Sequence, residues 1–203
     1  MMQAEAPRLV LASASASRRA LLEAAGLRFE ARVAGVDEAA IKDAAQAERI
    51  PPADAAILLA EAKAARIARR DPDALVIGCD QLLVCGGRWF DKPEDLAGAR
   101  AHLLALRGRQ HELVNGTVAW RGGERVWQDV TTARLTMRDF GDAFLDAYLA
   151  AEGKALCASV GAYRVEGPGI QLFSRIEGEH SAIIGLPMLP LLRFLRQHGV
   201  LAG

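Results

Sequence analysis

The segment Ala74-Leu75-Val76-Ile77-Gly78-Cys79, continued by Leu82-Leu83-Val84, is apolar except for the pair Asp80-Gln81 set inside it. A short apolar run bounded by turn signals reads as a buried strand, and Gly86-Gly87 just beyond supplies a hairpin turn. A carboxylate emerging from such a strand costs free energy unless a cation or hydrogen bonds meet it. Asp80 therefore has a metal-ligand or general-base role as its functional reading, and a buried structural carboxylate as its plain one.

The rest of the chain supplies the layers that such a strand needs. Arg8 to Ala12 reads as a short buried strand, Ser13-Ala14-Ser15-Ala16-Ser17 as a small hydroxyl-bearing loop, and Arg18 to Ala25 as a helix closed by Gly26. Leu27 to Val33 alternates like a half-buried strand and runs into a turn at Gly35-Val36-Asp37-Glu38, which puts Glu38 beyond a strand end. Pro51-Pro52 breaks the chain, and Ala53 to Arg70 has the composition of a long helix with Lys63 in its middle. Glu94 to Leu106 is a further helix with Pro93 near its first turn. Strands near Glu112 to Trp120 and Arg125 to Arg138 flank Gly122-Gly123 as a hairpin. Asp139 is expected to cap a helix reaching Glu152, Ile170 to Ile176 alternates as a strand, and Pro187 to His198 forms a closing helix ended by Gly199. Strands and helices alternate and a hairpin then intrudes, so the expected class is α/β with a mixed sheet and flanking helices, in one domain over residues 1–203.

Charge narrows the partners. Lysine plus arginine equals aspartate plus glutamate, 25 against 25, so no global field draws the chain to nucleic acid or a membrane, and an anion site has to be built locally. Cys79, Cys85 and Cys157 have no CxxC spacing, which fits a reducing compartment and argues against a disulfide framework or a zinc knuckle. The apolar stretch Leu9 to Ser17 has little basic flank, and Arg18-Arg19 follows at once, so it is not read as a signal peptide. No run of about 18 apolar residues exists to span a bilayer. The expectation is a cytoplasmic protein with a small ligand.

Three constellations carry chemistry. Ser13, Ser15, Arg18 and Arg19 stand before or at a helix N-terminus, where hydroxyls, backbone N–H groups and guanidinium groups suit a phosphate chain; the plain alternative is a small-residue loop with a solvated arginine pair. Glu38 and Asp80 are the acidic pair. Lys63 and Lys92 are unremarkable alone, but with Arg18 they could neutralise most of a triphosphate carrying about −4 charge. His102, His111 and His180 lack metal-ligand spacing and read as structural or exposed, no GxSxG elbow makes a nucleophile of Ser13 or Ser15, and Trp89, Trp120 and Trp127 read as core.

The stretch Leu11-Ala12-Ser13-Ala14-Ser15-Ala16-Ser17-Arg18-Arg19-Ala20-Leu21-Leu22 resembles the opening signature of the Maf family of nucleotide pyrophosphatases. Val36-Asp37-Glu38, Leu59 to Ala64, Ile77 to Gln81, Lys92-Pro93, and Gly161-Ala162-Tyr163 through Glu166-Gly167 to Gly185-Leu186-Pro187 continue the match in order. The resemblance implies a mixed-sheet α/β fold with two lobes around a deep cleft, similar to that of inosine triphosphate pyrophosphatases. It implies hydrolysis of a nucleoside triphosphate between the α and β phosphates. Ser13, Arg18, Lys63 and Lys92 would then bind substrate, Glu38 and Asp80 would hold Mg²⁺ or Mn²⁺, and Asp80 would accept the proton of the attacking water. Free aspartate, with a pKa of about 3.9, is a feeble base, so either the metal acidifies the water or the site raises Asp80. A homodimer is the commonest arrangement for such enzymes.

Three positions sort the family by base. Gln81 and Glu166 resemble the 7-methyl-GTP group, in which a carboxylate suits the positively charged methylated guanine and its N–H donors. Ser17 stands where that group has Trp and the dTTP/UTP group has Arg, and so matches neither. Asp91 replaces a common Gly, and Asn115 a common Thr. The rival readings are a dTTP/UTP pyrophosphatase of the same family and a nucleotide-binding regulator of septum formation and cell division, the second weakened by the complete set of carboxylates and cations that hydrolysis needs.

Overall fold

The computed structural model describes residues 2–203. In chain order the elements are β1 (Leu9–Leu11), α1 (Ala16–Ala24), β2 (Glu30–Ala31), α2 (Glu38–Ala47), α3 (Pro52–Ala68), β3 (Leu75–Cys85), β4 (Arg88–Phe90) and α4 (Leu96–Leu106). They continue as β5 (Gln110–Arg121), β6 (Glu124–Met137), α5 (Asp142–Glu152), three 3₁₀ turns between Gly153 and Leu172, β7 (Phe173–Glu177), α6 (His180–Ile184) and α7 (Met188–Gln197). The strands lie in the order β2-β1-β3-β5-β6-β7, with β4 pairing β3. β1 is parallel to β2 and β3, whereas β4 is antiparallel to β3 and β7 to β6, so the expected mixed α/β sheet is present. No helix among the described residues is long and apolar enough to cross a membrane.

The chain divides into two compact units. The first comprises the chain up to Gln81, Asn115–Thr131 and His180–Gly203; the second comprises Leu82–Val114 and Thr132–Glu179. In the first unit, strand alternation sorts side chains into two cores. Leu9, Leu11, Leu75, Ile77 and Cys79 pack with Leu22 of α1 and with Leu191, Phe194 and Leu195 of α7. Val10, Ala12 and Val76 pack on the opposite face against Ile57, Ala60, Ala64 and Ile67 of α3. The parallel register Leu9↔Leu75, Val10↔Val76, Leu11↔Ile77 keeps the two sets aligned.

The α3 face is unusually close to the sheet, because alanines and glycines meet there. A Cβ at Gly78 would lie 2.2 Å from the Ala60 carbonyl oxygen and 2.9 Å from the Ala64 Cβ, and one at Gly116 would lie 2.4 Å from the Ala56 carbonyl carbon. The same alternation that puts Val76 and Gly78 on this face puts Asp80 there too.

In the second unit, Gly86 and Gly87 at φ 58° and 81° turn β3 into β4, pairing Leu83 with Phe90 and Cys85 with Arg88. α4 and α5 pack with the 3₁₀ turns through Ala99, Leu103, Leu106, Leu145, Tyr148 and Leu156. His111 is buried and bonds the Tyr163 hydroxyl at 2.8 Å; burial pushes its pKa down to about 4, so at neutral pH it is an uncharged core group.

Several sequence expectations shift. The strand expected over Leu27–Val33 shrinks to Glu30–Ala31, both exposed and pairing only with β1. Glu38 is not in a turn beyond a strand but is the first residue of α2, where Asp37 caps the helix by accepting from the Ala40 N–H at 3.0 Å. Asp139 does not cap α5, which begins at Asp142 behind Gly141 without a side-chain cap. The last strand is Phe173–Glu177, because Pro168–Leu172 winds as a 3₁₀ turn instead.

If the close approach of α3 to β3 sets the site, Gly78→Ala has to push helix and strand apart. The expected outcome in a denaturant titration is a loss of about 2 kcal/mol or more from overpacking; unchanged stability would contradict the packing described.

Candidate active site

β3 and α3 place the central group. Asp80 lies 4% exposed on the α3 face of β3, and Lys63 lies 7% exposed on α3, one residue before Ala64, whose methyl faces Gly78. The Lys63 Nζ sits 2.5 Å from Asp80 Oδ1 and 3.0 Å from Glu38 Oε1. One ammonium thus joins two carboxylates, and the three groups sum to one net negative charge. Glu38 reaches inward from the start of α2 while about half of its side chain remains exposed. Isolated, the buried Asp80 carboxylate would be strongly disfavoured, and Lys63 is what makes its charge tolerable.

The loop between β1 and α1 forms the second part. Ser13 is buried, and its Oγ accepts from the Ser15 N–H at 3.1 Å. Ser15 in turn caps α1 by accepting from the Arg18 N–H. The Arg18 guanidinium donates from Nε to Gly185 O at 2.8 Å and from Nη1 to Cys79 O at 2.7 Å, with Ser13 Oγ at 3.5 Å. Arg18 therefore ties the main chain beside Asp80 to the end of α6. The Cys79 thiol adds to this tie by donating to Gly185 O at 3.1 Å.

Gln81, next to Asp80, points its amide nitrogen at Ala182 O, Ile183 O and Asn115 Oδ1, at 2.9, 3.2 and 3.2 Å. Ala182 O and Ile183 O near the end of α6 thus accept from this side chain, and Ala182 O accepts from the Gly185 N–H as well, at 3.2 Å. Ser17 lies partly exposed in the first turn of α1.

Lys92 and Glu166 belong to the second unit. Lys92 is exposed in the segment between β4 and α4. Glu166 is exposed between the second and third 3₁₀ turns, 3.7 Å from the Arg164 Nε, and Glu152 lies 3.6 Å from Nη1 of the same guanidinium. Sequence reasoning noted Asn115 only as a departure from a common Thr and passed over Thr117. Both are almost fully buried in β5, and Thr117 reaches the Cys79 sulfur at 3.6 Å. Their signal was present as polar residues alternating through an apolar strand.

No group of three or more His, Cys, Asp or Glu able to hold a metal occurs among the described residues. Glu38 and Asp80 nevertheless converge on the Lys63 ammonium. Two carboxylates completed by phosphate and water oxygens suit Mg²⁺ or Mn²⁺ better than a closed protein cage would.

A buried lysine–carboxylate centre at a strand of a mixed sheet, beside a hydroxyl- and guanidinium-bearing loop that opens a helix, defines an α/β protein equipped to handle a phosphorylated small molecule. Residues 8–198 match the family model described as Maf-like protein, and the chain belongs to that family. It is similar to a "Nucleoside triphosphate pyrophosphatase" of Granulibacter bethesdensis, 56% identical over 96% of this chain and 98% of that one. It is 52% identical to a protein of the same name from Paramagnetospirillum magneticum, over 95% and 99% of the two chains. A "7-methyl-GTP pyrophosphatase" of Rhizobium meliloti is likewise 52% identical, over 96% and 98%.

The geometry makes Lys63 a partner of both carboxylates, and its removal has to expose their repulsion. Lys63→Met is expected to cost about 3–5 kcal/mol in urea unfolding, as for one member removed from a buried ion pair. Adding Asp80→Asn to it should recover part of that loss. Additive losses in the double variant would show that the two side chains do not interact.

Proposed function

We propose that this protein is a metal-dependent nucleoside triphosphate pyrophosphatase that acts on 7-methyl-GTP, yielding the monophosphate and pyrophosphate. The observation that carries the reading is Asp80, a carboxylate buried in a strand and held at 2.5 Å by Lys63 with Glu38 on the same ammonium. A structural role would be served by one pair; a second carboxylate on the same cation leaves negative charge to be met by a divalent ion. The names of these relatives support the same reaction, and that of the Rhizobium meliloti protein the same base.

Asp80 holds a water by one carboxylate oxygen and takes its proton as that water attacks the α-phosphorus, while Lys63 keeps the carboxylate aimed. Glu38 and Asp80 would hold the divalent ion, which supplies Lewis-acid polarisation of the phosphate and neutralises the departing pyrophosphate. Ser13 and the main-chain N–H groups opening α1 receive the phosphate chain, with Arg18 fixing the loop and Lys92 offering a further cation. Gln81 and Glu166 are the two residues assigned to base selection. Glu166 supplies the negative charge that a 7-methylguanine ring requires, and Gln81 supplies an acceptor for its N–H edge. A nucleotide substrate of this kind supports a cytoplasmic location.

The test is pyrophosphate release from 7-methyl-GTP, dTTP, UTP and CTP, with and without EDTA. The expected result is highest kcat/KM for 7-methyl-GTP, loss of turnover with EDTA, and recovery on adding Mg²⁺ or Mn²⁺. Asp80→Asn should stay folded by circular dichroism and lose about 10³-fold in kcat, within the range for removing a general base. Near-full turnover by that variant would remove Asp80 from the chemistry, and a preference for dTTP or UTP would move the enzyme to the pyrimidine group.

A further inference from the structure

Gln81 can present either end of its amide to a base, and the choice decides what it selects. Its Nε2 lies within 3.2 Å of three oxygens: Ala182 O, Ile183 O and Asn115 Oδ1. All three are acceptors, so only the nitrogen end fits among them, and Oε1 is left as the end that can meet a ligand.

The nitrogen carries two hydrogens. One suits the consecutive carbonyls of Ala182 and Ile183; the other suits Asn115. Asn115 is itself an amide that could turn either way, and a turned Asn115 would set N–H against N–H. It is held the right way round because its Nδ2 donates to Thr131 O at 3.2 Å. Asn115 is fully buried, so water cannot stand in for either bond. A chain of orientation thus runs from the Thr131 carbonyl through both ends of Asn115 to Gln81.

We propose that Asn115 is a positioning residue for base selection: it locks the Gln81 amide so that Oε1 alone faces the nucleobase. The inference rests on the proposed reading in which Gln81 meets the base. The lock favours a base whose edge carries adjacent N–H donors, as guanine does. It disfavours uracil, whose single N–H is flanked by two carbonyl oxygens that repel Oε1. Asn115 touches no reacting atom, so its influence falls on KM and on base preference.

The experiment compares Asn115→Val with Asn115→Thr, which have the same shape and differ in whether an acceptor faces Gln81. Each is measured for kcat and KM on 7-methyl-GTP and UTP, alone and combined with Gln81→Ala. Asn115→Val is expected to raise KM for 7-methyl-GTP about tenfold and leave KM for UTP little changed, as for one lost buried hydrogen bond. Asn115→Thr should hold most of the preference. In the Gln81→Ala background the two substitutions should behave alike, because the group they act through is gone. Asn115→Ala and Asn115→Ser repeat the comparison if β-branched side chains are not tolerated there. Equal behaviour of Val and Thr in the native background, or equal losses on both nucleotides, would overturn the lock while leaving the effect of Gln81→Ala intact. An unchanged base preference in Gln81→Ala itself would overturn the base-facing reading of Gln81 and the lock with it.

Discussion

The structure turns on one ammonium held between two carboxylates. Lys63 reaches Asp80 and Glu38 only because α3 lies against β3 at a distance that side chains larger than alanine and glycine would forbid. Gly78, Ala60 and Ala64 set that distance, and the two-residue period of the strand then delivers Asp80 to the same face. A buried charge pair of this sort contributes little net stability, since desolvation offsets most of the attraction. What the pair does is hold the Asp80 carboxylate at a fixed, buried point, as the proposed reaction requires.

Around this centre, main-chain oxygens do much of the aligning. Arg18 spans the carbonyls of Cys79 and Gly185, the Cys79 thiol also reaches Gly185, and Gln81 covers the carbonyls of Ala182 and Ile183. At the end of the five-residue α6, the Gly185 and Leu186 N–H groups satisfy Ser181 O and reach Ala182 O, and these side chains supply further donors to Ala182 O, Ile183 O and Gly185 O. They flank Asp80 in sequence or in space. The local demand for hydrogen bonds at the end of α6 is therefore met in part by groups whose positions matter to the site.

Much of this was legible in the sequence. The apolar run around Asp80, the small hydroxyl loop before α1 and the glycine-free span of α3 each have local causes, and they appear where expected. The ordered motifs named the family, and the family model covers residues 8–198. Where the reading slipped, a competing local signal won: Asp37 looked like a turn residue and is a helix cap, and Leu27–Val33 alternated without a second strand to pair with. Illegible were the long-range partners. Nothing in the spacing of Glu38, Lys63 and Asp80 says that one nitrogen joins them. Nor does anything in Asn115 say that its amide meets Gln81, 34 positions away.

The central claim is that a water held by Asp80 attacks the α-phosphorus. The direct measurement is a turnover of 7-methyl-GTP in ¹⁸O-labelled water with mass spectrometry of both products. Attack at the α-phosphorus places one labelled oxygen in the nucleoside monophosphate and none in pyrophosphate, which is the result expected here. Label appearing in pyrophosphate would mean that water attacks the β-phosphorus, and the arrangement described around Asp80 would not account for the reaction.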